Sequence, residues 1–412
     1  MGSDIYSFIV KQAKQPESFA IMDLISIVAD ILFWVLFGFL LLNGIYLLFF
    51  SIAGKFYQQV SLPESTSPRK FGVLMPVYKN DSVILSTAVD ALEHQYAGEH
   101  RVIVIADSLF ADTTNQLRLK GIEVHEINLE KSTKGKALQC VAESFSEKEF
   151  DVVIILDVDN VMEQGVLDKM NAAFEMGYKI VQAHRTSFKA DNSITFLDAC
   201  NEEINNNIYR RGPARVGLSS ALIGSGMAFE FDYFRTIIRE LDDTVGEDKE
   251  LDFKIAFTGE KVVYLDNTMV KDEKISGSKA FKIQRARWLA AQWSVLKKYT
   301  PYLLSQLVKG NVQFLNKLAQ AWLVPRMILL AAIFVFAILS LLIDVGPSFV
   351  LWLIVLALVS VSMLVSLPLK FYKEPLFLKA LWQVPRTIVL MIIALFGINK
   401  AGKRFIATEH RR

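Results

Sequence analysis

The hydrophobic residues of this chain are concentrated at its two ends, whereas polar and apolar residues alternate between them. Residues 24–52 carry a single charge, Asp30, in a run long enough to cross a bilayer, which takes about 20 mostly apolar residues. A cleaved signal peptide is the alternative, but its apolar stretch covers only about 7–15 residues after a basic lead-in. The pattern therefore predicts an N-terminal segment at 1–23 followed by a transmembrane helix at 24–52.

The C-terminal region contains three hydrophobic segments that differ in length and continuity. The runs at 323–343 and 349–367 are separated by a short turn and predict two transmembrane helices that form a hairpin. The third segment, 381–398, is interrupted by Pro385 and an arginine, so it is either an interfacial helix or a third C-terminal hydrophobic helix. The tail at 399–412 is basic and is expected on the cytoplasmic side.

The polar middle of the chain predicts a soluble domain at 69–300, preceded by a linker at 53–68 that is rich in Pro and Ser. An amphipathic interfacial segment at 301–322 is expected to lead from this domain into the hairpin. Basic residues after the first helix place the domain in the cytoplasm, so the chain is predicted to be a multi-pass protein of the inner (cytoplasmic) membrane. The formal net charge of +2 gives no electrostatic case for a nucleic-acid partner.

Short apolar runs recur inside the soluble domain at intervals too long for hairpins, with amphipathic stretches of helical length between them. This alternation predicts an α/β fold with a mostly parallel, doubly wound sheet covered by helices on both faces. The predicted strands are 71–77, 101–106, 123–127, 152–156, 179–182 and 262–265, and helices are predicted at 82–95, 136–145 and 165–174.

Carboxylates follow two of these strands directly, where a doubly wound fold binds its ligands. Asp107 follows the second strand, and Asp157 and Asp159 follow the fourth. The chain has no dinucleotide-binding glycine motif and no P-loop, so phosphates must be held in another way. Mg²⁺ held by one or two carboxylates does this, although acidic pairs of this kind also cap helices and turns.

Seven short motifs follow one another along the predicted domain. They are M-P-V-Y-K-N (75–80), V-I-A-D (104–107), K-G-K-A-L (134–138), D-V-D-N (157–160), G-S-G-M-A-F (224–229), G-E-D-K-E-L (246–251) and Q-R-A-R-W (284–288). In kind and order they resemble those of the membrane-anchored, inverting family 2 glycosyltransferases, from about residue 69 to residue 293. The resemblance is to the processive, synthase-like branch, which includes cellulose, chitin and hyaluronan synthases and related bacterial exopolysaccharide enzymes. It implies a GT-A fold, which is Rossmann-like with a mostly parallel sheet, flanked by transmembrane helices.

The resemblance also implies roles for individual residues. Asp248 resembles the general base that takes the proton of the acceptor hydroxyl, with Glu247 beside it, although an acidic first helical turn is the structural alternative. Asp159, together with Asp157, is expected to hold Mg²⁺ or Mn²⁺. The expected donor-binding residues are Pro76, Tyr78, Asp107, Lys136, Asp157, Gln284 and Arg287, and the expected acceptor-binding residues are Gly224, Ser225, Gly226 and Trp288.

Other interpretations of these residues remain open from the sequence. Asp107 also suits a turn cap, and the Gly224 loop also suits a strand bulge. Lys134 and Lys136 are both able to approach a phosphate, but a solvated loop explains them equally well. The cluster at 284–288 is alternatively a basic patch next to the membrane.

Taken together, the sequence predicts a metal-dependent, inverting glycosyltransferase. It would move a sugar from a nucleoside diphosphate, with a UDP-sugar favoured, to a glycan or lipid-linked acceptor at the cytoplasmic membrane face, in exopolysaccharide biosynthesis. Polysaccharide export proteins are further expected partners. A glycolipid-forming transferase is the alternative within the enzyme class, and a non-catalytic nucleotide-sugar-binding subunit of a synthase complex is the alternative outside it.

Overall fold

The computed structural model describes residues 15–188, 190–244, 246–273 and 278–397. The chain divides into two compact units. One contains the residues up to Phe49 together with Val324–Leu364, and the other contains Phe50–Leu323 and the residues from Val365 onward. Most of the predicted N-terminal segment and the whole predicted basic tail lie outside the described residues.

The larger unit is built on one eight-stranded mixed sheet with the strand order β3-β2-β1-β4-β7-β6-β8-β5. Strand β1 pairs in parallel with β2 and β4, and the pairs β2–β3 and β6–β8 are also parallel. Strand β7 runs antiparallel to both of its neighbours, and β5 runs antiparallel to β8. The strands are β1 Phe71–Tyr78, β2 His100–Asp107, β3 Glu123–Ile127, β4 Val152–Ile155, β5 Val161–Met162, β6 Ile180–Ser187, β7 Met227–Glu230 and β8 Val263–Asp272.

Helices alternate with the strands along the chain, and further helices precede β1 and follow β8. A π-helical turn at Asn207–Arg211 and a 3₁₀ turn at Thr300–Tyr302 interrupt the α-helical series. The helices are α1 Gln15–Lys55, α2 Asp81–Leu92, α3 Ala111–Leu119, α4 Lys134–Ser144, α5 Val166–Glu175, α6 Ser193–Asn206, α7 Gly212–Arg215, α8 Phe231–Arg239, α9 Glu247–Thr258, α10 Ser278–Tyr299, α11 Leu303–Val308, α12 Val312–Trp322, α13 Arg326–Leu339, α14 Phe349–Ser366, α15 Leu369–Tyr372, α16 Leu376–Leu381 and α17 Val384–Leu395.

The sheet is buried on both faces because successive strand residues point to opposite sides. Val73 and Ile154 belong to one apolar core, which also contains residues of α2 and α5. Leu74 and Ile155 belong to a second core on the other face, with residues of α4 and α8. These strands therefore form continuous apolar runs, as expected for a sheet covered by helices on both sides.

All six strands predicted from the sequence are present, and the predicted mostly parallel α/β fold is confirmed. Strands β6 and β8 extend beyond their predicted ends. The prediction stopped short because the C-terminal halves of both strands contain polar residues. The buried His184 side chain of β6, for example, satisfies its polar atoms with hydrogen bonds inside the fold, so hydropathy does not identify it as a strand residue. The short strands β5 and β7 were not predicted.

The smaller unit is an apolar helical layer formed by α13, α14 and most of α1. The fully buried Trp352 ring packs 5.1 Å from that of Phe37 and 5.2 Å from that of Phe336, measured between ring centroids. Asn43 of α1 accepts a hydrogen bond of 2.8 Å from the backbone N–H of Val324, which begins this part of the unit. A polar side chain in this apolar layer thus satisfies a backbone group that no helix pairs.

Asp30, the single charge in the first hydrophobic run, has a comparable structural role. Its Oδ1 accepts a hydrogen bond of 2.7 Å from the backbone N–H of Gly346. Gly346 lies in the turn between α13 and α14 with a φ of +79°, a left-handed conformation that favours glycine. The carboxylate therefore secures the turn of the hairpin.

Two of the described helices, Leu24–Lys55 and Phe349–Ser366, are long and apolar enough to cross a membrane. The number becomes three if the broken pair of α12 and α13 is one span. The helix Val384–Leu395 is apolar but shorter, and it lies within the third predicted hydrophobic segment. The boundaries predicted for the linker, the interfacial segment and the individual spans stay predictions.

Candidate active site

The carboxyl ends of β1, β2 and β4 bring the first group of predicted donor-binding residues to one edge of the sheet. Tyr78 and Asp107 are register partners at the last position of β1 and β2, and Pro76 lies inside β1. Ser108, directly after β2, has a φ of +60°, which is rare for a residue other than glycine. Strained backbone of this kind is typical of binding sites that the surrounding fold holds in place.

Asp107 is buried, and one of its oxygens is available for a ligand. Its Oδ1 accepts a hydrogen bond of 2.9 Å from Ser108 Oγ, whereas Oδ2 has no hydrogen-bond partner among the described residues. If Asp107 only capped a turn, its second carboxylate oxygen would not be expected to be buried without a hydrogen-bond partner. The geometry therefore suits an aspartate that accepts a hydrogen bond from a bound molecule.

Asp157 is held from three sides after β4. Its backbone N–H donates a hydrogen bond of 3.0 Å to Ser225 Oγ, and its Oδ1 accepts one of 2.5 Å from Lys134 Nζ. Arg185 Nη1 of β6 lies 3.9 Å from its Oδ2. The loops after β4 and before β7 are thus tied together, and Ser225, predicted from the sequence to bind the acceptor, fixes Asp157.

Lys134 is the cation that links the loops after β4 and before β7 to the start of α9; the space between these segments is called the cleft. Thr133 caps α4 by accepting a hydrogen bond from the N–H of Lys136, and this places the Lys134 side chain at the helix N-terminus. Its Nζ also donates to the carbonyl oxygen of Gly224 at 2.5 Å and lies 3.6 Å from Glu247 Oε1. Burial alone would lower the pKa of Lys134, but the Asp157 and Glu247 carboxylates raise it above its ordinary value.

The other lysine of the K-G-K motif points elsewhere. Lys136 Nζ forms an ion pair of 2.7 Å with Asp243 in a partly exposed position. Lys134 and Lys136 are two residues apart in α4, which places their side chains on different faces of the helix. The structure therefore brings Lys134 to the other site residues and Lys136 to the surface loop before α9.

Gly224 allows three loops to meet. It has a φ of +86°, and a methyl group built there would lie 3.8 Å from both Lys134 Nζ and Glu247 Oε1, and 4.0 Å from Asp248 Oδ2. Gly226 also has a positive φ, and a methyl group there would approach Val270 to 3.0 Å. The glycines predicted to face the acceptor are therefore required by the backbone path, and Gly224 borders the acidic pair directly.

The acidic pair begins α9. Asp248 Oδ1 accepts a hydrogen bond of 2.8 Å from the N–H of Lys249, while Glu247 is buried. Burial raises the pKa of Glu247 to about 7; the Lys134 ammonium opposes this shift and the Asp248 carboxylate adds to it. The two carboxyl groups therefore occupy different environments, a pattern that separates acid and base roles at active sites.

Helix α10 supplies the cationic side of the cleft. Partial burial lowers the pKa of the Arg287 guanidinium, and the carboxylates of Glu247, Asp157 and Asp248 oppose this decrease. Gln284 Oε1 is buried without a hydrogen-bond partner among the described residues. Both residues of the predicted donor-binding pair on α10 thus have features expected of ligand-binding groups.

The remaining residues of the Q-R-A-R-W motif form a second contact. The Arg285 guanidinium lies 4.2 Å from the Trp288 ring and forms an ion pair with Asp198 of α6. Arg285 is therefore engaged in holding α6 against α10. Trp288, predicted to bind the acceptor, packs on this cation, and its place beside the carboxylates of the cleft stays a prediction.

The residues predicted to hold a metal are rich in oxygen donors. Asp159 is 7% exposed, and its Oδ1 accepts a hydrogen bond of 2.9 Å from Asn160. Burial raises the pKa of Asp272, at the end of β8, far above its ordinary value; Arg185 opposes this shift, and Asp159 is the first of the carboxylates that add to it. Crowded carboxylates of this kind match the preference of Mg²⁺ and Mn²⁺ for oxygen ligands.

Within the described residues, no group of three or more His, Cys, Asp or Glu side chains has the arrangement of a preformed metal site. A cation held by one or two carboxylates and completed by phosphate oxygens and water needs no such group. Asp157 and Asp159 therefore fit the expected cation in number and kind of donor.

Three residues contribute to this site beyond those predicted from the sequence. In the sequence, a solvated loop explains Lys134 equally well, and neither Arg185 nor Asp272 is a candidate site residue. The adjacent charges of the K-G-K motif are the available signal for Lys134. Arg185 and Asp272 give none, because they become neighbours only when β6 and β8 pair in register, with Ser187 opposite Asp272.

The chain is similar in fold to solved structures of other proteins. The fold resembles that of a mannosyltransferase from Pyrobaculum calidifontis, solved with GDP-Man and Mn²⁺, with 15% sequence identity, 87% of this chain and 99% of that chain covered, and a TM-score of 0.50. A glucosyl-3-phosphoglycerate synthase from Mycobacterium tuberculosis, solved with Mn²⁺, uridine-diphosphate and phosphoglyceric acid, has 14% identity, coverage of 65% and 86%, and a TM-score of 0.38. No curated protein sequence matches the chain.

The first of these structures confirms the GT-A fold predicted from the sequence. At 15% identity, the likeness concerns the fold alone. The family model described as glycosyl transferase family group 2 matches residues 152–365, just over half of the chain. This match begins with β4 and includes Asp157, Gly224, Asp248 and the Q-R-A-R-W motif. The chain therefore belongs to glycosyl transferase family group 2.

Proposed function

We propose that this family 2 glycosyltransferase is an inverting, metal-dependent enzyme of the synthase-like branch. It would transfer a sugar from a nucleoside diphosphate, with a UDP-sugar as the favoured donor, to a glycan or lipid-linked acceptor. The observation that carries the proposal is the convergence of Asp157, Lys134, Glu247 and Asp248 around the backbone of Gly224. These residues come from four separate segments of the chain, and one cation among three carboxylates leaves negative charge that a metal ion and its phosphate ligand would neutralise.

The donor would lie across the carboxyl ends of β1, β2 and β4. Asp107 Oδ2, which has no hydrogen-bond partner among the described residues, would accept a hydrogen bond from the nucleotide, and the cations of Lys134 and Arg287 would bind the diphosphate. Asp157 and Asp159 would hold Mg²⁺ or Mn²⁺, and the metal when bound supplies positive charge that stabilises the leaving diphosphate. Cations in a cleft that excludes water are more effective than the same charges in solution.

The acceptor would approach past Gly224, whose backbone lies next to the acidic pair. Asp248 would take the proton of the acceptor hydroxyl. At the same time the hydroxyl oxygen would bond to the anomeric carbon, and the bond from that carbon to the diphosphate would break. The anomeric configuration inverts in this single displacement. Glu247, whose raised pKa leaves it partly protonated near neutral pH, would hold Lys134 in position.

The apolar helices support a membrane location. We propose that the membrane is the inner (cytoplasmic) one and, from the basic residues after the first helix, that the catalytic domain lies on the cytoplasmic side. An acceptor that is itself lipid-linked or membrane-bound suits such a location, and exopolysaccharide synthesis with export partners is the process we favour. Labelled donor supplied to membranes tests the product: a ladder of sizes supports a polymer, and one lipid-extractable species supports a glycolipid.

The catalytic assignment is tested with the purified membrane protein and a panel of nucleotide sugars, by measuring released nucleoside diphosphate. Replacing Asp248 with Asn removes the base and is expected to lower kcat by about 10²- to 10⁴-fold. Asp243→Asn is the matched control, because Asp243 is an exposed aspartate on the loop before the same helix. Turnover that survives Asp248→Asn and Asp159→Ala, with Gln284 and Arg287 replacements also harmless, would favour the non-catalytic binding subunit.

A further inference from the structure

Helix α12 presents an unusual face to the catalytic domain. Gln313, Asn316 and Lys317 are all buried, at positions i, i+3 and i+4 of one helix face. Phe314 and Leu318 are buried beside these polar residues, whereas Val312 and Trp322 are exposed. The helix thus buries a lysine and two amide side chains together with its apolar contacts, and buried polar groups of this kind need partners inside the fold.

The buried polar face holds one end of the loop that contains Gly224. Lys317 Nζ donates a hydrogen bond of 2.8 Å to the carbonyl oxygen of Ser220, and Gln313 Oε1 accepts one of 2.7 Å from the N–H of Ser219. These bonds fix the loop four to five residues before Gly224. The far end of the same loop is fixed at Ser225, by the N–H of Asp157.

The same lysine also holds the helix that begins with the acidic pair. Lys317 Nζ forms an ion pair of 2.9 Å with Asp252 Oδ1, which in addition accepts a hydrogen bond of 3.1 Å from the N–H of Leu222. Asp252 follows Asp248 by four residues and therefore lies one helical turn below it on the same side of α9. A single ammonium group thus joins α12, the loop and the helix of the acidic pair.

Apolar contacts reinforce this junction. Phe253 of α9 stacks on Tyr299 at the end of α10, with ring centroids 4.1 Å apart, and packs edge-on against Phe314 of α12 at 5.4 Å. An ion pair buried in such a cluster contributes little net stability, because removing both charges from water costs about as much as their attraction returns. Well-packed apolar residues would hold the helices equally well, so stability alone does not account for the pair.

We propose that Lys317 is a positioning residue for acceptor transfer: paired with Asp252, it sets the loop before Gly224 and the first turn of α9 at the separation that acceptor chemistry requires. This inference rests on the proposed function. Of the donor-binding groups, Asp157 meets this loop at its far end, at Ser225, five residues beyond Ser220. We therefore expect Lys317 to affect kcat and acceptor KM more than nucleotide affinity.

The test is the double variant Lys317→Met/Asp252→Asn. It removes both buried charges, while the amide oxygen introduced at position 252 still accepts the Leu222 N–H. We expect kcat to fall about 10- to 100-fold, because small errors in the position of reacting groups cost this much. The affinity for UDP, or for GDP if the panel identifies a GDP-sugar donor, is expected to stay within about twofold of wild type. Lys309→Met, at an exposed lysine just before α12, is the matched control and is expected to behave as wild type.

Wild-type kcat and acceptor KM in the double variant would overturn the inference, and so would an equal loss of nucleotide affinity, which indicates a general defect of the fold. If the double variant does not fold, Gln313→Leu decides: it removes another bond between the same helix and the same loop without changing charge, and unchanged kcat would contradict the proposal. A wild-type protein that turns over none of the nucleotide sugars would instead refute the proposed function itself.

Discussion

The N-terminal half and the C-terminal half of the larger unit are stabilised by different kinds of interaction. In the N-terminal half, residues 71–155, the centre of the sheet is apolar and ion pairs lie at the surface, such as Arg101 with Glu123, whose side chains are about a third exposed. In the C-terminal half, residues 180–322, ion pairs are buried, such as His184 with Glu203 and Arg285 with Asp198.

The difference indicates a division of tasks within one fold. Apolar packing needs only the right volume and pattern, whereas each buried charge must find a partner or destabilise the fold. The His184 ring illustrates the second case: burial would lower its pKa, but hydrogen bonds with Asp266 and Glu203 raise it above the ordinary value. Buried charges concentrate in the half that carries the acidic pair and the cations of α10, where specific geometry matters more than stability.

The largest expected effect is on the stability of the N-terminal half. Ile154 is completely buried in the central strand β4, and Ile154→Ala is expected to lower the free energy of unfolding by about 2 to 5 kcal/mol while the folded fraction keeps its kcat. Leu119→Ala is the control, because the Leu119 side chain is 86% exposed and its loss should change stability by less than about 0.5 kcal/mol. Urea unfolding measures both, and equal effects would remove the contrast between core and surface.

The next effect concerns the acidic pair and depends on pH. Because the pKa of Glu247 rises from 4.5 in the unfolded chain to about 7 in the fold, the folded state binds the proton more tightly. Its contribution to stability is therefore present below about pH 4.5 and lost as the pH rises through 7, a change of about 3 kcal/mol at most. Glu247→Gln is expected to abolish this decline between pH 5 and pH 8.

The control for this experiment is Glu143→Gln, at an exposed glutamate of α4. It should retain the wild-type decline in stability with pH, measured by urea unfolding at each pH. A Glu247→Gln profile that still falls across the same range would assign the titration to another group and would weaken the contrast between the two carboxyl groups of the pair.

The smallest effect compares the two lysines of the K-G-K motif. Lys134→Met removes charge-assisted hydrogen bonds at the cleft and is expected to lower kcat/KM for the donor roughly 30-fold, or about 2 kcal/mol. Lys136→Met removes a partly exposed ion pair and should change either stability or kcat/KM by less than about 1 kcal/mol. Comparable losses of kcat/KM in the two variants would instead support Lys136 as a donor-binding residue, as predicted from the sequence.

The sequence predicted the N-terminal half well because its signals are local. Each apolar run of β1 to β4 is long enough to identify a strand, and the carboxylates Asp107 and Asp157 follow their strands directly. Strand β7 escaped detection because Met227–Glu230 is only four residues long and follows a glycine-rich loop. Its antiparallel direction depends on the order of strands in the sheet, which hydropathy does not encode.

The C-terminal half was less predictable because its polar contacts join residues distant in the chain. Arg285 and Asp198 are 87 residues apart, and Lys317 and Asp252 are 65 apart. Neighbouring residues also separate: in β6, His184 contacts Glu203 while Arg185 contacts Glu202 and lies near Asp157, because alternate strand residues face opposite sides. Family motifs identify such residues, but only the packing of helices assigns their partners.

Gly246 lies directly before the acidic pair, where the chain enters α9. A methyl group at this position would lie 2.4 Å from the Cβ of Ala291, so the backbone entering α9 touches α10 without any intervening side chain. Any side chain at position 246 would therefore push the first turn of α9, with its acidic pair, away from the helix that carries Arg287.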